Sequence, residues 1–300
     1  MNVYIKSYCY SEHEIPFIIA NLTENYSKIT KYLLYEYNFT HTGLTKPYNV
    51  EKYLSEIPDN LRDKLIYKKI DLNKYMKNYF NNEEKIHKYN EPIQRSYWLN
   101  DKNISINSED IIIDIDVDEI IYGDKFDQMI DELKNSNNPL SIRLNLFFYK
   151  ENYLWEGKDF SSPTIYKFKM INQFIEHYKD IKFCNMRNLP DKTKNLYGAH
   201  LSWFMPVEYM ERKLLSYGHP KYRYIGVNEI ENAIKMKQYP WKDIEFNIRE
   251  LSKSSSEIPI YFRQEIDFFN YLNKSSIVNP QKRSFKQKVS QYLPVNDPEI

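Results

Sequence analysis

Apolar positions along the chain switch repeatedly between a period of two and a period near 3.6, which predicts alternating strands and helices. The stretch NVYIKSYCY (2 to 10) reads as a strand, and 14 to 27 as a helix with Pro16 in its first turn. KYLLYEYNF (31 to 39) and KLIYKKIDL (64 to 72) read as further strands, separated by a short helix near 50 to 57 that Pro58 ends. Residues 83 to 101 read as helical, with Pro92 marking a start or a kink, and 110 to 121 (DIIIDIDVDEII) form an apolar run that turns acidic. A helix at 123 to 135, a long strand at 139 to 155, a less regular stretch from 156 to 197, a strand at 198 to 205 and a helix at 207 to 218 stopped by Gly218 complete the pattern. Such a succession predicts an α/β fold whose mainly parallel sheet is covered on both faces.

Three hundred residues suit one large domain, placed at 1 to 250. The Ser- and Lys-rich remainder, 251 to 300, reads as a partly disordered C-terminal extension whose end, 277 to 300, is an arm or tail. Lys plus Arg (42) nearly cancels Asp plus Glu (41), so no global field points to nucleic acid or to an anionic membrane. The 28 tyrosines are spread through every segment and carry little functional information. Two cysteines, Cys9 and Cys184, offer no paired metal spacing. The amino terminus lacks a signal pattern and no apolar run approaches the roughly 20 residues of a membrane span, so the expectation is a soluble, cytoplasmic chain.

Candidate chemistry concentrates where the apolar run of 110 to 121 turns acidic. Alternation along a strand puts Asp114, Asp116 and Asp118 on one side and points Glu119 the other way. Ligands of open α/β sheets sit beyond the carboxyl ends of strands, and carboxylates so placed suit Mg²⁺ or Mn²⁺ bridging a diphosphate. The competing explanation is that these acids open a loop and cap the following helix. The buried approach IIID, which a solvated loop would not need, strengthens the metal reading and leaves both open.

Four blocks in order then resemble glycosyltransferase family 17, the family of the bisecting β-1,4-N-acetylglucosaminyltransferase, across residues 31 to 222. The first carries Glu36, Thr40, Gly43, Lys46 and Pro47; the second Glu91, Gln94 and Arg95; the third Asp116, Asp118, Glu119 and Ile120. The fourth carries Gly198, His200, Ser202, Trp203 and the later His219. Against the family pattern, Ile121 stands in place of Pro, Ala199 and Leu201 in place of Trp and Cys, Asn90 in place of Arg, and Lys221 in place of an acid. The resemblance implies a GT-A type fold and an inverting transfer from UDP-N-acetylglucosamine, or a related UDP-hexose, to a glycan acceptor, with Mn²⁺ or Mg²⁺ as cofactor.

With the resemblance in hand, Lys46 and Arg95 are candidates for the diphosphate or for positioning the acids, and both also read as ordinary cations. Glu91 and Arg95, four apart on a helix, would pair directly. Glu36 and Thr40 are candidates for uridine or ribose, His219 for a third metal ligand beside Asp116 and Asp118, and Trp203 for stacking on a sugar. For the base that deprotonates the acceptor hydroxyl His200 ranks first, because imidazole ordinarily titrates near 6.5, with Glu91 and Glu119 behind it. Two other readings use the same residues: a silent nucleotide-sugar or carbohydrate binding module, and a metal-dependent phosphohydrolase.

Overall fold

The computed structural model describes residues 1–43, 45–75, 83–216, 225–239 and 245–263. Its first half runs β1 (Val3–Cys9), α1 (Ile15–Asn25), β2 (Lys31–Tyr37), α2 (Asp59–Arg62), β3 (Leu65–Ile70), α3 (Glu83–Ser96), β4 (Ile111–Asp114), β5 (Glu119–Ile121) and α4 (Phe126–Lys134). The second half runs β6 (Leu140–Phe148), β7 (Tyr153–Phe160), β8 (Thr164–Lys167), β9 (Glu176–Tyr178), β10 (Ile181–Phe183) and β11 (Lys192–Ser202). It closes with α5 (Val207–Ser216), α6 (Val227–Lys235), β12 (Ile248–Glu250) and α7 (Ile260–Arg263).

The strands build a curled, mainly parallel central sheet flanked by helices. Its parallel part has the order β3-β2-β1-β4, and β1 lies between β2 and β4. Strands buried on both faces need apolar side chains throughout, which is why β1, β2 and β4 read as nearly continuous hydrophobic runs. The polar exceptions inside β1 are Ser7 and Lys6, which are fully buried, and Lys6 meets Asp114 of β4 at 2.9 Å. Beyond β4 the sheet is mixed: β8 enters antiparallel between β4 and β6, and β11 runs parallel to β6 and antiparallel to β5.

Several elements differ from the sequence expectation. The run 139 to 155 is not one strand: β6 ends at Phe148, Tyr149 takes a left-handed backbone (φ 71°), and β7 returns antiparallel. The polar run Lys150-Glu151-Asn152 forms the turn between them. The stretch 156 to 197 holds the end of β7, then β8, β9, β10 and most of β11. The helix expected to reach 101 ends at Ser96 and continues as a 3-10 turn, and the one near 50 to 57 is itself 3-10. Residues 251–263 pack back on α1, burying Ile258 and Phe262, while Tyr122 Oη donates to the Glu257 carbonyl. Gly218, His219 and the arm at 277 to 300 lie outside the described residues.

One feature of α1 positions the site. Asn21 and Asn25, buried and one turn apart, donate through Nδ2 to the carbonyls of Val117 (3.0 Å) and Ile121 (3.1 Å). The helix thereby holds the turn between β4 and β5 and the far end of β5.

Candidate functional site

A cleft of about 690 Å³ opens at the carboxyl ends of β1, β4 and β11. The acid turn, 115–118, forms its floor, and the chain segment after β1, the segment 185–188, the end of β11, α3 and α5 supply its walls. This is the place where open α/β sheets bind ligands.

The acids reach the cleft by a turn and not by strand alternation. β4 stops at Asp114, the chain reverses at 117 and 118, and β5 pairs antiparallel with β11 so that Glu119 lies opposite His200. Glu119 therefore does not point away from Asp116. Its carboxylate folds back to accept the Asp116 N–H at 2.6 Å. Asp114 does not face the cleft either; its carboxylate serves Lys6.

Around Asp116 the charges are closely matched. Arg95 of α3 presents its fork to both Asp116 oxygens, and its Nε donates to Glu91 at 2.8 Å. Arg187 donates to both Glu119 oxygens, at 3.0 and 2.6 Å, and to Asp116 at 3.3 Å. The Arg95 guanidinium also lies 4.9 Å from the Tyr8 ring centre. Burial alone would raise the Asp116 pKa, but Arg187 and Arg95 outweigh it and hold the carboxyl well below its ordinary range. For Glu119 burial wins and its pKa is raised, Arg187 notwithstanding. Burial opposes ionisation of Glu91 too, yet Arg95 and His41 bring it down to about 2.

Asp118 stands apart from that group. Lys213 of α5 reaches it at 3.3 Å and His200 Nε2 at 3.7 Å, and against the cost of burial these two lower its pKa. The His200 ring packs 4.0 Å from that of Phe160, and its Nδ1 is buried without a hydrogen-bond partner. Lys213 lies 5.3 Å from the Trp203 ring centre. Trp203 itself holds a left-handed backbone (φ 61°), a strained state for a bulky side chain that turns the chain from β11 toward α5.

Of the sequence-predicted residues, the cleft brings together Glu91, Arg95, Asp116, Asp118, His200 and Trp203. Glu119 lies beneath it, fully buried. Glu36 and Lys46 do not line it. They pair with each other at 3.1 Å with side chains 0% and 2% exposed, and Glu36 also accepts the Asn49 and Val50 N–H groups. Thr40, buried and hydrogen-bonded to Thr42, does not line it either. His219 lies outside the described residues.

Sequence reasoning missed Arg187, Lys213, Arg212, His13 and Glu14. The last two sit in Ser11-Glu12-His13-Glu14, a polar cluster directly after a buried strand, and that position was a usable signal. Glu14 Oε2 accepts the N–H of Ser11 at 3.1 Å and that of Tyr10. Burial pushes its carboxyl up to about 8 in spite of these bonds. Burial likewise brings His13 down to about 3. Glu12 ties this segment to α5, accepting from Tyr209 at 2.8 Å and pairing with Arg212 at 3.5 Å.

Among the described residues, no three His, Cys, Asp or Glu side chains group as metal ligands. Hard divalent cations often take only one or two protein carboxylates and complete their shell with water and substrate phosphate. Asp118 lines the cleft but is already paired with Lys213 at 3.3 Å and faces His200 at 3.7 Å, so it offers a cation one carboxylate shared with an ammonium group. Asp116, with both oxygens on guanidinium groups, does not fit that pattern in this arrangement.

No family model matches the chain, and no curated protein matches it. Among the described residues, no helix is long and apolar enough to cross a membrane.

Proposed function

We propose that the chain is a glycosyltransferase of GT-A type that moves a hexose, N-acetylglucosamine first among candidates, from a UDP-sugar to a hydroxyl of a glycan acceptor. The observation that carries this reading is the acid turn at the carboxyl end of β4, held in a cleft opposite Lys213 and Arg212. An activated sugar diphosphate needs that combination: cations for the departing charge, acids to orient them, and a polar wall for sugar hydroxyls. The choice of UDP and of N-acetylglucosamine rests on the family resemblance of the four sequence blocks.

In this reading Lys213 and Arg212 bind the diphosphate, and Asp118 orients Lys213. A divalent cation held at Asp118, Mn²⁺ or Mg²⁺, would neutralise further charge on the leaving group. His200 takes the proton of the acceptor hydroxyl. Glu91 is a poor base, since its partners bring it down to about 2, and Glu119 is sealed beneath the floor by Arg187. Phe160, Ser162, Asn185 and Asn188 offer the acceptor an uncharged wall of one ring, one hydroxyl and two amides. The test is release of UDP from UDP-N-acetylglucosamine in the presence of glycan acceptors and Mn²⁺. Acceptor-dependent release supports the reading; failure to bind or turn over any UDP-sugar removes it.

A further inference from the structure

Of the four acids that line the cleft, three are matched by a cation: Glu91 and Asp116 by Arg95, and Asp118 by Lys213. Glu14 is the exception, for no described Lys or Arg pairs with it. Its Oε2 accepts the Tyr10 and Ser11 N–H groups, which fixes the carboxyl against the backbone, and its Oε1 has no described partner. Beside it His13, 4% exposed, also lines the cleft, and its Nδ1 is buried without a hydrogen-bond partner. Buried polar atoms are nearly always bonded, so two open valences side by side at the carboxyl end of β1 call for a ligand.

Neither group is charged near neutral pH, because burial holds the His13 imidazole at about 3 and pushes the Glu14 carboxyl up to about 8. The titratable groups that face Glu14 are Asp118, Lys213, Cys9 and Tyr32, and those that face His13 are Glu12, Arg212, Lys213 and Asp118; burial outweighs them in both cases. A neutral imidazole nitrogen accepts and a protonated carboxyl donates, which suits a sugar hydroxyl, at once donor and acceptor. A phosphate would bring acceptors alone. Position agrees with this chemistry. Glu12 fastens the corner to α5, accepting from Tyr209 at 2.8 Å and pairing with Arg212 at 3.5 Å, and the His13 ring lies 4.8 Å from that of Tyr209. A diphosphate on Lys213 and Arg212 therefore has His13 and Glu14 beside it.

We propose that the corner after β1 is the subsite of the transferred sugar, with His13 and Glu14 holding its hydroxyl groups. The inference rests on the transferase reading and deepens it. The two residues add affinity for a UDP-sugar over UDP and contribute nothing to UDP itself.

The test is titration calorimetry of UDP and of UDP-N-acetylglucosamine on the full chain, at one Mg²⁺ concentration, for the wild type, His13→Phe and Glu14→Gln. His13→Phe keeps a ring against Tyr209 and removes both nitrogens. It is expected to weaken UDP-N-acetylglucosamine by about five- to tenfold and to leave UDP within about twofold of the wild type. Between pH 7 and pH 9 the wild-type affinity for the UDP-sugar, taken relative to UDP, is expected to fall about tenfold, as does the protonated fraction of a carboxyl titrating at about 8. Glu14→Gln, whose amide donates at every pH, is expected to show no such fall. Unchanged UDP-sugar binding in His13→Phe, equal weakening of both ligands in it, or the same pH response in the wild type and Glu14→Gln overturns the inference and leaves the transferase reading standing. Should His13→Phe not fold, Glu14→Gln decides by its pH response: a flat response supports the inference and a wild-type response overturns it. A wild type that binds neither ligand at pH 7 removes the reading and the inference with it.

Discussion

At the scale of single residues, burial and charge work against each other throughout the cleft, and pH separates them. Glu14 is the clearest case. Its folded pKa is raised by burial to about 8, above the unfolded carboxyl value near 4.3. The folded state thus binds a proton that the unfolded state releases, and Glu14 reduces stability as pH rises through that window. Glu14→Gln keeps an oxygen for the Tyr10 and Ser11 N–H groups and removes the titration. Between pH 5 and pH 9 the melting temperature of the wild type should fall further than that of the variant. Parallel curves for the two proteins would show that Glu14 is ionised without cost. The same reasoning applies below the acid turn, where Lys6 is fully buried on Asp114. Lys6→Met strands a buried carboxylate and should cost about 3–5 kcal/mol in urea unfolding, whereas the double change Lys6→Met with Asp114→Leu should recover most of it.

At the scale of elements, what was legible in the sequence was what burial writes into a single run of residues. β1, β2, β3 and α1 announce themselves by period, and their order gives the parallel half of the sheet. The β6 to β7 reversal was marked only by the polar run Lys150-Glu151-Asn152, without the usual Gly or Asn-Gly, because Tyr149 supplies the left-handed backbone itself. Asp116 and Asp118 were legible as the end of a buried run, but their division was not, since alternation fails where the chain turns and Glu119 folds back. Arg187 carries no local signal at all; only tertiary packing brings 187 to 116. Gly198 shows how tightly the elements around the turn are set. A Cβ there would lie 2.1 Å from the Ile120 carbonyl oxygen, backbone that cannot yield cheaply. Gly198→Ala should therefore destabilise the fold by about 1–3 kcal/mol and lower transfer, because β5 anchors the acid turn that precedes it and β11 carries His200. An unchanged melting temperature would contradict this close approach.

At the scale of the whole molecule, the described structure joins a parallel half, which supplies the acid turn and the 11–14 segment, to a mixed half, which supplies His200, Trp203 and the cations of α5. The cleft lies where the two meet. Residues 251–263 belong to this body, for Ile258 and Phe262 are buried in the main core and Glu24 accepts the N–H groups of both Gly123 and Ile260. A chain ending at 250 should melt markedly lower, since each large apolar side chain removed from the core forfeits about 1.5–3 kcal/mol of burial. The central claim concerns what the joined halves do together, and product formation tests it most directly. The full chain, given UDP-N-acetylglucosamine, Mn²⁺ and a panel of glycan acceptors, should release UDP and add the mass of one sugar to an acceptor, with the rate falling by about 10²-fold or more in Asp118→Asn. UDP-sugar hydrolysis without any glycosylated product, or equal product from Asp118→Asn and the wild type, would contradict it.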